Sequence, residues 1–168
     1  SHPGSFRTFM ERHLFGAVNL PPAQIHFLDG AAADLDAECE RYEGAIDAAG
    51  GIDLQLLGIG RNGHIGFNEP ADTLAARTHR VRLADSTRRD NAALFGGDPA
   101  RVPQEALSMG IGTILKAGVL ILIATGDSKA SCLARALRGP VSTQLPASFL
   151  QLHRHTELYV DRLAASRL

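Results

Sequence analysis

The segment "GVLILIATG", residues 118–126, limits what this chain can fold into more than any other stretch. Six consecutive apolar residues, Val119 to Ala124, stand between two glycines. A run this short cannot span a bilayer. It also lacks the polar alternation of a strand with one wet face. It reads as a strand covered on both sides, the setting of a central strand in a parallel sheet. Parallel neighbours cannot be joined by hairpins, so helices must run between the strands.

The flanking sequence supplies those helices and strands. Residues 5–17 place Phe6, Phe9, Met10, Leu14 and Val18 near one face of a helix. "QIHFLDG" (24–30) reads as a short strand, and residues 34–49 as a helix capped by Asp34 and stopped by Gly50-Gly51. "IDLQLLGI" (52–59) reads as a buried strand and "RTHRVRLAD" (77–85) as a polar one. "STRRDNAALF" (86–95) reads as a helix capped by Ser86 or Asp85. A short helix over 113–116 follows "EALSMGIG". "DSKASCLARALRG" (127–139) is a helix with Asp127 or Ser128 at its cap and Gly139-Pro140 at its end, and "TELYVD" (156–161) is the last strand. There is no internal repeat and no long linker. The alternation predicts one α/β domain over residues 1–168, built on a parallel sheet.

Charge excludes several partners. Lysine plus arginine (17) nearly balances aspartate plus glutamate (18), so neither nucleic acid nor an anionic membrane is expected to bind. The opening "SHPGSFRTFM" lacks the basic and apolar segments of a secretory leader. Cys39 and Cys132 have no metal-ligand spacing and read as packed, reduced thiols, which makes a cytoplasmic location the expectation. The chain begins at Ser1, already in a helical pattern, and is expected to be trimmed or incomplete.

The chemistry concentrates in "LLGIGRNGHIGFNEP", which directly follows the second expected strand. Gly58, Gly60 and Gly63 have G-x-G-x-x-G spacing, and Asp85 lies roughly 20 residues on, as in a dinucleotide-binding loop. Such a loop must open a helix, and Gly66 and Pro70 interrupt the segment where that helix belongs. The other reading is a catalytic loop at the carboxyl end of a parallel strand. His64 is the side chain suited to proton transfer near neutrality. Glu69 can orient the imidazole or act as acid or base, and Asn62 and Asn68 can donate to hydroxyls or hold the loop. The bland alternative is that His64 and Glu69 only brace a turn.

A second signal is "IATGDSKAS". Lys129 falls in the first turn of the expected helix, where the helix dipole disfavours a cation. A bound anion would reverse that penalty, because amides, dipole and lysine then act together. A phosphate ester is the expected ligand; a solvated surface lysine is the alternative.

"LGIGRNGHIGFNEP" closely resembles the signature of glucosamine-6-phosphate deaminases, also called glucosamine-6-phosphate isomerases. The resemblance continues in "SFRTFMERHLF", "DLDAECERYEGAI", "RTHRVRLADSTRRDN", "VPQEALSMGIGTIL" and "GDSKA", nearly the whole chain. In the sister 6-phosphogluconolactonases the loop typically runs on as "DGHTASLFP", so Phe67-Asn68-Glu69-Pro70 favours the deaminase. The resemblance implies a Rossmann-like, three-layer αβα fold with a mainly parallel sheet. It implies conversion of D-glucosamine 6-phosphate and water to D-fructose 6-phosphate and ammonium in amino-sugar catabolism, with no metal or redox cofactor. It gives catalytic roles to His64, as the acid/base of ring opening, and to Asn62 and Glu69, which hold and tune it. Lys129 would bind the substrate phosphate, with Gly60 and Gly63 shaping the substrate loop.

The chain also departs from that pattern. The fold is expected to be truncated at the N-terminus, because family members carry a first strand, a Gly/Thr-rich phosphate loop and an Asp-Glu-Tyr segment before the stretch that "SHPGSF" resembles. That segment's aspartate is the enolisation base. Where many members have a phosphate-binding arginine, this chain has Ala93, and Arg88 or Arg89 would have to compensate. Residues 72–81 do not match the allosteric site of some members. A sheet missing a strand leaves apolar surface uncovered. A fragment of a longer product is the expectation, with a self-associating short form, a homo-oligomer, as the other. Two further functions stay open: a lactonase-like sugar-phosphate hydrolase, and an inactive sugar-phosphate binding module.

Overall fold

The computed structural model describes residues 3–168. The first helix, α1 (Phe6–His13), starts where the Ser5 hydroxyl accepts the Thr8 amide at 3.2 Å, and ends at Leu14, whose backbone leaves the helical region. A 3-10 turn, Phe15–Ala17, follows. None of the α1 residues is buried. Its expected apolar face therefore lies open, with Phe6 and Phe9 each about half exposed.

The strand expected over 24–30 does not form. Pro22–Gln24 is a 3-10 turn, and the residues after it are not paired in a sheet. Their polar backbone groups find side chains instead: the Asp29 amide donates to Glu38 at 2.7 Å, and Arg41 donates to the Phe27 carbonyl at 3.0 Å. With those partners satisfied by α2 (Leu35–Ala48), the segment needs no ladder. Helix α2 forms as expected. The Asp34 carboxylate caps the Asp36 and Ala37 amides, and Gly50 and Gly51 close its end through the Asp47 and Ile46 carbonyls.

Three strands, β1 (Leu54–Gly58), β4 (Val119–Ala124) and β5 (Thr156–Val160), make a parallel sheet with β4 in the middle. Between β1 and β4 in sequence, β2 (His79–Arg82) and β3 (Glu105–Ser108) pair antiparallel as a separate ribbon. The protein is thus a mixed α/β fold whose main sheet is parallel.

Leu57, Leu120, Leu122 and Ala124 form the covered face of the sheet. They pack on Cys132, Leu133 and Ala136 of α5 (Ala130–Arg138), on Ile111 and Ile114 of α4 (Ile111–Leu115), and on Ala147 and Leu150 of a 3-10 segment, Pro146–Leu152. The opposite face corrects the expectation that β1 and β4 are buried on both sides. Leu54 and Leu56 are more than half exposed, and Ile123 and Tyr159 are also exposed. The register aligns Leu54 with Val119, Leu56 with Ile121, and Ile123 with Tyr159, so these residues share one uncovered apolar face.

Two helix starts also differ from expectation. Helix α3 (Asp85–Asn91) has Ala84 at its N-cap rather than Ser86 or Asp85, with no side-chain cap. Asp127–Lys129 form a 3-10 turn, so α5 begins one turn later than expected, with Lys129 at its N-cap. The two cysteines are free and buried.

Candidate active site

The parallel pairing of β1 with β4 sends both carboxyl ends to the same edge of the sheet, with Gly58 opposite Ile123. The loop after β1 and the turn after β4 therefore emerge side by side, where α/β sheets place their sites. They touch directly. The Lys129 ammonium donates to the Ile59 carbonyl at 2.7 Å, and the Cys132 thiol lies 3.4 Å from the Gly60 carbonyl.

The loop is not the start of a helix. No helix follows until α3, so the dinucleotide arrangement is absent, and Asp85 is an exposed residue paired with Arg88 at 3.7 Å. The loop instead folds on itself. The Gly60 amide donates to the His64 carbonyl at 2.9 Å and the Gly63 amide to the Gly60 carbonyl at 3.0 Å. Ile65, fully buried, anchors the turn in the core. Asn68 is also buried, and its amide nitrogen braces the loop, donating to the Ile65 carbonyl at 2.9 Å and the Met109 carbonyl at 2.8 Å. Ser108, not singled out from sequence, accepts the Phe67 amide at 2.9 Å.

Two glycines are required by shape. A Cβ on Gly60 would run into the His64 ring, approaching its Nε2 to 2.6 Å and its Nδ1 and Cε1 more closely still. Gly63 has φ +87°, and a Cβ there would collide with the Leu145 side chain.

The structure brings His64, Asn62 and Glu69 together. The Asn62 carbonyl oxygen lies 2.8 Å from His64 Nδ1 and also accepts the His64 amide at 3.3 Å. Asn62 donates to one Glu69 oxygen at 2.6 Å; that oxygen is 3.4 Å from His64 Nδ1. The other Glu69 oxygen accepts the Ala84 amide at 3.2 Å. An amide oxygen and a carboxylate cannot donate, so the proton of a neutral imidazole sits on Nδ1 and Nε2 keeps its lone pair. Burial pushes the Glu69 carboxyl up. Hydrogen bonds from His64, Thr87 and Asn62, with the charge of the imidazole, outweigh that effect and hold it at about 2.

Thr87 on α3 is the residue that sequence reasoning missed. Its buried hydroxyl oxygen is 3.4 Å from His64 Nδ1. It stands 23 positions away in a charged helix, and no spacing rule links the two. The arginines offered as substitutes at Ala93 have other placements. Arg88 donates to the Pro99 and Val102 carbonyls at 2.9 and 3.4 Å, and Arg89 and Ala93 are exposed. Arg61, within the loop, pairs with Asp90 at 3.3 Å. Among the described residues no group of three or more His, Cys, Asp or Glu could hold a metal ion, and no helix is long and apolar enough to cross a membrane.

The chain as a whole has counterparts among known proteins. The family described as glucosamine-6-phosphate isomerases/6-phosphogluconolactonase matches residues 1–160. Glucosamine-6-phosphate deaminase 2 of Bacillus subtilis (strain 168) is 48% identical over 169 residues, covering 100% of this chain and 68% of its own length. Glucosamine-6-phosphate deaminase of Shewanella loihica (strain ATCC BAA-1088 / PV-4) is 51% identical over 168 residues, covering 100% of this chain and 62% of its own. The solved structure of a monomeric glucosamine-6-phosphate deaminase superposes with a TM-score of 0.94 at 43% identity, over 99% of this chain and 68% of that one. The chain thus spans between 62% and 68% of the length of these relatives.

Proposed function

Because the chain belongs to the family of glucosamine-6-phosphate isomerases and 6-phosphogluconolactonases, we propose that its site opens the sugar ring of D-glucosamine 6-phosphate, the first step of conversion to D-fructose 6-phosphate and ammonium. The observation that carries this reading is the fixed imidazole. With Nδ1 committed to Asn62, Nε2 of His64 keeps a lone pair for proton transfer, on the loop that Lys129 reaches from the neighbouring turn. It takes the proton of the anomeric hydroxyl and returns one to the ring oxygen as the C1–O bond breaks, which yields the open aldehyde.

Asn62 and Glu69 are positioning residues in this scheme. Asn62 sets the tautomer, and the Glu69 charge favours the imidazolium that forms in transit. Lys129 anchors the phosphate: one of its three N–H groups is used on Ile59, and two remain for an anion. Gly60 and Gly63 give the imidazole and the loop backbone their room.

After ring opening, a proton leaves C2 and one is added at C1. The C2 amine becomes an imine, and water displaces it as ammonia. The water oxygen stays in the ketone, so the C–N cleavage is formally hydrolytic. The Glu69 carboxyl, held at about 2, is a weak base for a carbon-bound proton, and its two oxygens hold Asn62 and the Ala84 amide. The C2 proton therefore goes to a different base, and the full reaction is proposed for the whole family fold, of which these residues span about two thirds. A phosphorylated amino sugar stays where it is made, and free, buried thiols suit a reducing compartment; both fit a cytoplasmic role. The scheme calls for no second copy of the chain.

The test is release of ammonia and fructose 6-phosphate from glucosamine 6-phosphate by a full-length family fold carrying these residues, active before the change, compared with its His64→Ala variant. Equal turnover by the two proteins would overturn the role of His64.

A further inference from the structure

We infer that Thr87 is a positioning residue for His64, its buried hydroxyl completing with Asn62 and Glu69 a cradle of three oxygens around Nδ1. The three lie 2.8 Å (Asn62), 3.4 Å (Glu69) and 3.4 Å (Thr87) from that nitrogen. Three oxygens converging on one ring nitrogen fit only a nitrogen that carries a proton.

The hydroxyl has a distinct place among the three. Asn62 offers Nδ1 an acceptor only, and Glu69 offers it a charge. A threonine hydroxyl can face Nδ1 with its lone pair while its own proton goes elsewhere. The contact that places the hydroxyl is the one with Nδ1, at 3.4 Å, and the depressed carboxyl of Glu69 beside the same nitrogen fits a hydrogen bond from Thr87. The cradle thereby links the ring, the carboxylate and α3.

The fold delivers the hydroxyl through Glu69 itself. Glu69 accepts the amide of Ala84, the N-cap of α3, at 3.2 Å. Thr87 is three residues further on, hence on the same side of the helix. Asn91 closes the next turn, donating to the Thr87 carbonyl at 2.8 Å. Docking α3 on the carboxylate thus carries the hydroxyl to the imidazole.

The inference rests on the reading of His64 as the proton carrier, and its test separates the two. In the unaltered chain, imidazole nitrogen NMR should show His64 protonated on Nδ1. Thr87→Val keeps the shape and removes the hydroxyl. The loss of one hydrogen bond should shift the tautomer ratio about fivefold toward Nε2–H, and the Glu69 carboxyl should titrate above its value of about 2. Thr87→Ser should restore both. In turnover, Thr87→Val should lower kcat about tenfold, with KM unchanged, and serine should rescue it. The NMR readings need no turnover, so they decide the inference even in a chain that releases no ammonia. An unprotonated Nδ1 in the unaltered chain overturns it. So does a Thr87→Val protein with the same tautomer ratio and Glu69 titration. If the valine variant does not fold, loss of the Nδ1–H tautomer in Thr87→Ser overturns it.

Discussion

The imidazole of His64 lies where a side chain on Gly60 would begin. The two are one unit: the glycine amide donates to the histidine carbonyl, and the missing Cβ leaves room for the ring. Gly60→Ala should push the ring from its place. A displacement of about 1 Å costs on the order of a hundredfold in rate. We expect kcat to fall by about that factor while circular dichroism stays unchanged. Retained turnover would show that the ring position is not critical.

Lys129 reaches the Ile59 carbonyl from the neighbouring turn. Lys129→Met keeps the length of the side chain and removes its charge. Loss of a charge-assisted contact of about 1.5–3 kcal/mol should raise KM for the sugar phosphate roughly tenfold to a hundredfold. Competitive inhibition by inorganic phosphate should weaken in parallel. Unchanged KM and phosphate inhibition would remove Lys129 from the anion site.

Glu69 links the site to acid stability. Its folded carboxyl, held at about 2, lies below the ordinary 4.5. A depressed carboxyl stabilises the folded chain above the ordinary value, and that contribution is lost as pH falls from there through about 2. Between pH 6 and pH 3 the loss from this group should be about 2 kcal/mol. Urea unfolding at both pH values measures it, and Glu69→Gln should lose correspondingly less on acidification. An identical acid loss in the variant would show that the carboxyl is not depressed.

Away from the site, Glu43 ties α2 to the segments before β2 and within α4. One of its oxygens accepts the Thr78 amide, the Thr78 hydroxyl and the Thr113 hydroxyl, each at 2.6 Å. Glu43→Ala strands the Thr78 amide and hydroxyl and leaves the Thr113 hydroxyl only the Ala76 carbonyl at 3.3 Å; it should cost about 2–4 kcal/mol in denaturant unfolding, with KM for the sugar phosphate unchanged at moderate temperature. A loss of less than about 1 kcal/mol would show that the network is dispensable.

Much of this was legible in the chain, for physical reasons that differ by element. β4 announced itself because glycines bound a continuous apolar run, and α2 because Asp34 and Gly50-Gly51 are capping residues at both ends. His64, Asn62 and Glu69 sit within eight residues, so local spacing sufficed to bring them together. Burial was less legible. Leu54, Leu56 and Ile123 look like core residues, yet they lie on an uncovered face, because hydrophobicity records what a residue can pack against and not what is there. The segment 24–30 has strand composition, but Glu38 and Arg41 satisfy its backbone instead. Thr87 was invisible because its part depends on how α3 docks, through a contact between Glu69 and a backbone amide 15 residues on.

Ring opening interconverts the two anomers of glucosamine 6-phosphate, and it needs His64 but no base for C2. The most direct test is therefore the anomer exchange rate, measured by magnetisation transfer with and without the 168-residue chain. The chain should accelerate exchange, and His64→Ala should abolish the acceleration. Exchange at the buffer rate, or acceleration that survives His64→Ala, would contradict ring opening by His64.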